Sequence, residues 1–228
     1  RYLDDGPNHA TWLSEAERLH VSASLDTTGV PQHTSFRNVL NDPRIYILAF
    51  SYFGLVTGLY SISFWLPTLL KAAGVQDTMS VGLYYAMPYG AALVSMILFA
   101  RHSDSTGERR WHAAIATGIG AVFLAIASLS LHNFGLCMAT LTVAICAIYS
   151  GYTVFWTIPT DYLSGSASAG GIAFINSIGL LGGFVSPIVI GWLKTETGSL
   201  SAGLLVMSLL LLLSAATIIL NRLSPTAR

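Results

Sequence analysis

An all-α membrane protein with six transmembrane helices is the fold class this sequence predicts, and three observations predict it. First, 53% of the 228 residues are hydrophobic and only 10% are charged, whereas an ordinary soluble domain is roughly a quarter charged. Second, the apolar total of about 120 residues matches six bilayer crossings at about 20 residues each. Third, the charges cluster, leaving charge-free stretches from Ile45 to Leu70, Thr78 to Ala100, Ala113 to Thr160, Tyr162 to Leu193 and Thr197 to Asn221.

The stretch from Ala113 to Thr160 is too long for one crossing of a hydrocarbon layer about 30 Å thick, and its polar break is His132-Asn133. It therefore reads as a helical hairpin. Six spans follow, at 43 to 70, 79 to 100, 112 to 131, 135 to 162, 167 to 193 and 200 to 221. The first opens with Asn41 and Asp42, whose side chains can cap free backbone N–H groups, and with Pro43, whose missing N–H costs nothing in a first turn. Pro88, Pro159 and Pro187 fall inside spans, where each frees a backbone carbonyl that neighbouring helices must satisfy; kinks are expected there. Upstream, Ser14 and Glu17 form a capping-box pattern that predicts a short surface helix to about Asp26, and Thr27 to Ser35, with Gly29 and Pro31, reads as a flexible linker. The chain thus divides into a loop and linker over 1–41, a six-helix bundle over 42–222 and a tail over 223–228. Its first residue is Arg1, and the polar opening forty residues lack a secretory-signal pattern, so a piece of a longer protein is expected.

Basic residues orient the bundle. With alternating helices, nine arginines (Arg1, Arg18, Arg37, Arg44, Arg101, Arg109, Arg110, Arg222 and Arg228) fall on one side, and Lys71 and Lys194 on the other. The positive-inside rule then places both termini and the Arg101–His112 loop in the cytoplasm, in a multi-pass protein of the cell's inner (plasma) membrane.

Composition and residue placement narrow the chemistry. Eleven basic residues balance eleven acidic ones, so nucleic acid is not an expected partner. His9, His20, His33, His102, His112 and His132 all occupy the tail or predicted loop positions, which leaves no intramembrane histidine box for a metal. Serines are plentiful, but no spanning His or Lys is nearby to activate one, and Asp161 sits at a helix end. No enzyme and no cofactor is expected. Cys137 and Cys146 lie nine residues apart in one apolar run, too far along a helix to be bridged.

Polar and aromatic groups do gather on the fourth span. Tyr149, Tyr152, Thr153 and Trp156 fall at i, i+3, i+4 and i+7, one stripe of a helix. Trp156 precedes Ser166 by ten residues and Asn176 follows it by ten, so antiparallel helices would bring both to one depth, about 15 Å from the turn at the helical rise. A Trp N–H, a Thr hydroxyl and an Asn amide in one layer can bind a polar ligand; aromatic packing and an interhelical hydrogen bond from Asn176 are the structural alternatives. The fifth span is rich in small residues, including Gly179 and Gly183 at GxxxG spacing, which suits close helix packing and equally sliding against a neighbour.

The loop Ala100-Arg101-His102-Ser103-Asp104-Ser105-Thr106-Gly107-Glu108-Arg109-Arg110 resembles the G-x-x-x-D-R-x-G-[RK]-[RK] signature of the major facilitator superfamily. It is similar to the version in the second half of the anion:cation symporter family, which contains tartrate, phthalate and sugar-acid permeases. Pro7, Ala10, Trp12, Leu13 and Glu17 resemble that family's central loop. Phe155-Trp156-Thr157-Ile158-Pro159-Thr160, Gly165, Gly171-Ile172-Ala173, Ile175-Asn176-Ser177, Gly182-Gly183-Phe184 and Pro187 resemble its tenth and eleventh helices.

The resemblance implies one six-helix half of a transporter whose two halves rock about a central cavity. It implies that Thr153, Trp156 and Asn176 line the substrate cavity beside Tyr149 and Tyr152. It also implies that Asp104, with Gly107, Arg109 and Arg110, forms a gating loop against a helix N-terminus of the other half, where the dipole favours an acid. Ala100, Ser105 and Leu180 depart from the family's usual Gly, Arg and Asn. The implied partners are a small organic anion such as a dicarboxylate or sugar acid, a coupling proton or Na⁺, the N-terminal six-helix half and membrane lipid. The anion-binding arginine and coupling carboxylates would reside in that other half, so this segment is expected to be inactive alone. The alternatives from sequence are a non-transporting six-helix scaffold that self-associates through the small-residue face, and a degenerate gene remnant.

Overall fold

The computed structural model describes residues 10–26, 36–72, 74–75, 77–163 and 167–221. Arg1, Pro7, the 27–35 linker, Gly165, Ser166 and the 223–228 tail lie outside the described residues. The chain separates into two compact units, a small one over 1–32 and 224–228 and a large one over 33–223.

In the small unit, α1 (Glu15–Asp26) begins at the expected capping box. The Ser14 N–H donates to Glu17 Oε2 at 3.0 Å while the Glu17 N–H reaches Ser14 Oγ at 3.4 Å. The Ser14 hydroxyl and N–H together hold the Glu17 carboxyl below its ordinary pKa, because both donate to the charged form.

The large unit is a helical bundle: α2 (Phe36–Leu40), α3 (Pro43–Ala72), α4 (Thr78–Thr106), α5 (Arg110–Leu129), α6 (Phe134–Phe155), α7 (Thr157–Tyr162), α8 (Ser168–Thr197) and α9 (Leu200–Leu220). Among the described residues, six helical segments are long and apolar enough to cross a membrane, with α6 and α7 counting as one. Side-chain caps set several of their starts. Asp42 Oδ1 accepts from the Arg44 N–H at 2.9 Å, Asp77 Oδ2 from the Ser80 N–H at 2.8 Å, and Asn133 Oδ1 from the Leu136 N–H at 3.1 Å.

Two departures from the sequence expectation bear on the site. The second span continues to Thr106 rather than ending near 100, because helical hydrogen bonding does not stop where the hydrocarbon does. The turn before α5 therefore shrinks to Gly107, Glu108 and Arg109, and His102 and His112 are helical rather than loop residues. The fourth span is divided at Trp156. Pro159 has no N–H to give the Phe155 carbonyl, so the ladder loses a rung there. Pro67, inside α3, withdraws the same rung from the Ser63 carbonyl, and the Tyr85 hydroxyl of α4 donates to that oxygen at 3.4 Å.

At the centre stands α3, which packs on α8, α9, α6 and α4. In its most apolar window 67% of residues are buried, against 11% in α4 and 22% in α8; α4 and α8 are thus flanks whose apolar side chains face outward. Hydroxyls join α3 to α9, with Ser51 Oγ 2.8 Å from Thr217 Oγ1 and Ser214 Oγ donating to the Ser51 carbonyl at 2.5 Å. Small residues join α3 to α8. Gly179 faces the Tyr52 ring, Gly183 the Tyr60 ring and Gly191 the Trp65 ring, an order that advances along both helices and makes them parallel. The packing role expected of the small-residue face is thereby observed on its α3 side.

A Cβ at Gly182 would lie 2.6 Å from the Phe53 carbonyl oxygen and 3.0 Å from the Thr57 nitrogen. Backbone cannot yield as a side chain does, so Gly182→Ala is expected to force the helices apart and cost about 1–3 kcal/mol. Gly118→Ala, whose Cβ would meet only Ala215 at 3.9 Å, should be neutral or slightly stabilising. Thermal unfolding of both variants in detergent checks the contrast.

Candidate functional site

One face of the bundle brings aromatic and neutral polar groups from α3, α4, α6 and α8 together. The α6 stripe supplies Tyr149, Tyr152, Thr153 and Trp156, all half-buried. Tyr149 meets the Tyr89 ring of α4 edge-on at 5.7 Å. Tyr152 places its hydroxyl 3.2 Å from that of Tyr52. Trp156 sits edge-on to the same Tyr52 ring, centroids 4.7 Å apart. Thr153 turns inward on its own helix, its hydroxyl donating to the Tyr149 carbonyl at 2.9 Å, so only its lone pairs remain for anything else.

Asn176 is half-buried on α8, and its side chain makes no hydrogen bond among the described residues. It lies three residues before Gly179, on the same helical face and about 4.5 Å along the axis. Gly179 seats the Tyr52 ring, and Tyr52 contacts Trp156. Tyr52 therefore stands between the two helices that the sequence paired directly.

Four contributors escaped the sequence reading: Tyr52 and Ser63 on α3, and Tyr85 and Tyr89 on α4. The Tyr89 hydroxyl is 2.9 Å from Ser63 Oγ, and the Tyr85 and Tyr89 rings stack at 4.9 Å. The i, i+4 spacing of Tyr85 and Tyr89 was a readable signal. Nothing local distinguished Tyr52, one of seven aromatic residues spread along α3.

This wall holds no charged side chain; what it offers are hydroxyls, an indole N–H and an amide. Such groups can hydrogen-bond a polar ligand, but they supply no counter-charge to an anion. Among the described residues there is no group of three or more His, Cys, Asp or Glu that could hold a metal ion.

Toward one end of the wall, the Tyr162 hydroxyl of α7 donates to the Asp42 carboxylate, and the Arg44 guanidinium lies 5.7 Å from the Tyr162 ring centroid. At the α4–α5 turn, Gly107 adopts φ 69° and its N–H donates to the Ser103 carbonyl at 3.0 Å. The buried Ser103 hydroxyl donates to the Glu108 carbonyl at 3.0 Å, and the Glu108 carboxylate accepts from the Trp111 N–H at 3.0 Å, starting α5. Arg109 forms an ion pair with Asp104, whose side chain is 64% exposed; Arg110 lies against the Trp111 ring at 5.8 Å. His102 Nδ1 is 2.7 Å from His112 Nε2, tying the two helix ends together.

Residues 7–187 match the sequence model of the Major Facilitator Superfamily. The chain belongs to this superfamily. Two proteins of Agrobacterium vitis, each named "Putative tartrate transporter", are 43% and 41% identical over 99% and 98% of this chain and over 51% and 52% of their own lengths. The "Inner membrane transport protein RhmT" of Escherichia coli strain K12 is 34% identical over 99% of this chain and 52% of its own. The chain thus spans about half the length of the curated relatives it matches, as one six-helix half of a superfamily transporter does.

The left-handed Gly107 tests the loop. Gly107→Ala is expected to cost about 1 kcal/mol, the penalty of placing a Cβ at positive φ, and to fray the last turn of α4. Faster amide exchange at Gly107 and its neighbours, with the rest of α4 unchanged, is the measurement.

Proposed function

We propose that this chain is the C-terminal half of a secondary transporter that moves a small organic anion, a dicarboxylate or sugar acid, across the inner membrane with a proton or Na⁺. The observation that carries the proposal is the charge-free, hydrogen-bonding wall of Tyr149, Tyr152, Thr153, Trp156 and Asn176 in a superfamily bundle of half the relatives' length. A neutral wall suits the hydroxyls and carbon skeleton of such a substrate. The charge of the carboxylates and the coupling proton or cation then require ionisable groups on an N-terminal six-helix half, because ionisable groups at membrane depth are where such coupling resides. The name of the Agrobacterium relatives supports a dicarboxylate.

In this reading residues 1–41 form a cytoplasmic linker, 42–222 the bundle and 223–228 a cytoplasmic tail, with the arginine-rich ends facing inward. Asp104, Gly107, Arg109 and Arg110 act as the cytoplasmic gate. The exposed Asp104 carboxylate is free to exchange Arg109 for the N-terminus of a helix in the other half as the gate closes. The exposed apolar residues of α4 and α8 meet lipid and that second half.

Two experiments test this. In the full-length transporter, Trp156→Ala and Asn176→Ala should each lower tartrate uptake at least several-fold with membrane insertion intact, since each removes a hydrogen-bonding group from the wall; unchanged uptake in both returns these residues to packing. Proteoliposomes containing this chain alone should show no substrate-dependent uptake. Uptake by the isolated chain would remove the need for a second half, whereas a stable homodimer without transport in any longer form would favour a scaffold.

A further inference from the structure

We infer that Tyr52 is the positioning residue of the substrate wall: a ring seated at Gly179 of α8 that sets the orientation of Trp156 and Tyr152 on α6. The inference rests on the reading of Trp156 as a substrate residue.

Trp156 needs such support. It stands at the junction of α6 and α7, where Pro159 has no N–H for the Phe155 carbonyl, so the hydrogen-bond ladder that fixes side-chain direction elsewhere is interrupted. Its ring must be held from the side, and Tyr52 holds it. The contact is edge-on, with centroids 4.7 Å apart and planes at 67°, a favoured arrangement for two aromatic quadrupoles. The same Tyr52 ring lies nearly parallel to Phe155 at 5.6 Å and 11°. Its hydroxyl is 3.2 Å from that of Tyr152, and whichever oxygen donates, the bond determines whether Tyr152 offers a proton or a lone pair to a ligand.

Tyr52 is itself fixed from behind. It is 1% exposed, and a Cβ at Gly179 would overlap its ring, with Cε1 only 2.6 Å away. A glycine in mid-helix is kept where alanine would favour the helix, and here the missing methyl is the space the ring occupies. Three helices thus converge on one side chain: α3 carries it, α8 seats it, and α6 takes its orientation from it. Tyr52 touches no ligand in this account; it acts through Trp156 and Tyr152.

The test uses the full-length transporter in proteoliposomes with radiolabelled tartrate, together with a variant retaining Trp156 as its one tryptophan for fluorescence. Gly179→Ala should raise KM about tenfold, through misplacement of binding groups, with a smaller change in kcat. It should also shift Trp156 emission. Tyr52→Ala should raise KM comparably, and adding Gly179→Ala to it should have no further effect, since the methyl then has no ring to displace. Tyr52→Phe keeps the ring and the fold and loses only the hydroxyl; it should raise KM about two- to threefold while Trp156 emission stays in place.

Additive effects of Gly179→Ala and Tyr52→Ala, or a KM unchanged in Gly179→Ala, would overturn the positioning role while leaving the substrate wall standing if Trp156→Ala still impairs uptake. Normal uptake in Trp156→Ala would instead overturn the underlying reading. The fluorescence arm needs no substrate: emission from Trp156 unmoved by both Gly179→Ala and Tyr52→Ala refutes the contact's role directly. Should Gly179→Ala fail to insert, Tyr52→Phe and Tyr52→Ala decide the matter, because neither adds volume to the α3–α8 seam.

Discussion

The close approach of α3 and α8 is the constraint on which the rest of the bundle depends. Inside a membrane no hydrophobic force draws one apolar helix to another, since lipid is as apolar as leucine, so helices adhere by tight packing and by interhelical hydrogen bonds. Along this seam Gly179, Gly182 and Gly183 leave room for Tyr52, the backbone at Phe53 and Thr57, and Tyr60. On the opposite side Ser51, Ser214 and Thr217 bond α3 to α9. With α3 held from both sides, its remaining face is presented to α6, and the wall of aromatic and polar groups forms where those two helices meet.

The wall's chemistry follows from what the membrane permits. Among the described residues the charged groups of the spans sit toward their ends, and a hydroxyl inside a span is served by a backbone carbonyl of its own helix or by another helix. Thr153 takes the first course, and Tyr52, Tyr152, Ser63 and Tyr89 the second. Prolines add to the demand. Pro67 strips the Ser63 carbonyl of its helical donor, and the Tyr85 hydroxyl answers it. Pro159 interrupts the fourth span beside Trp156, so the helix break and the indole at the wall coincide in the chain.

Much of this was legible in the residues because membrane insertion writes itself into local composition. Charge-free stretches marked the six spans, the S-x-x-E box marked α1, and Asp42-Pro43 marked the start of α3. The positive-φ Gly107 was legible from its place in the loop signature. The α6 stripe was also readable, since 3.6-residue periodicity puts Tyr149, Tyr152 and Trp156 on one face. The boundary near residue 100 was misjudged because hydropathy reports where the lipid ends and not where the helix does. His102 and His112 were assigned to a loop for the same reason.

Sequence by itself determined the class of the protein, its superfamily, the number of spans and the neutral character of the wall. These depend on residue type and on spacing within one helix, which a single strand of text contains. Only the tertiary structure decided that α3 lies at the centre, that Tyr52 stands between Trp156 and the helix carrying Asn176, and that Tyr85 and Tyr89 join from α4. Those facts depend on which helix faces which, and six spans of nearly uniform apolarity carry no local mark of their neighbours. Neighbour choice is set by where a missing methyl lets a ring approach, a property of pairs of surfaces and not of either sequence segment alone.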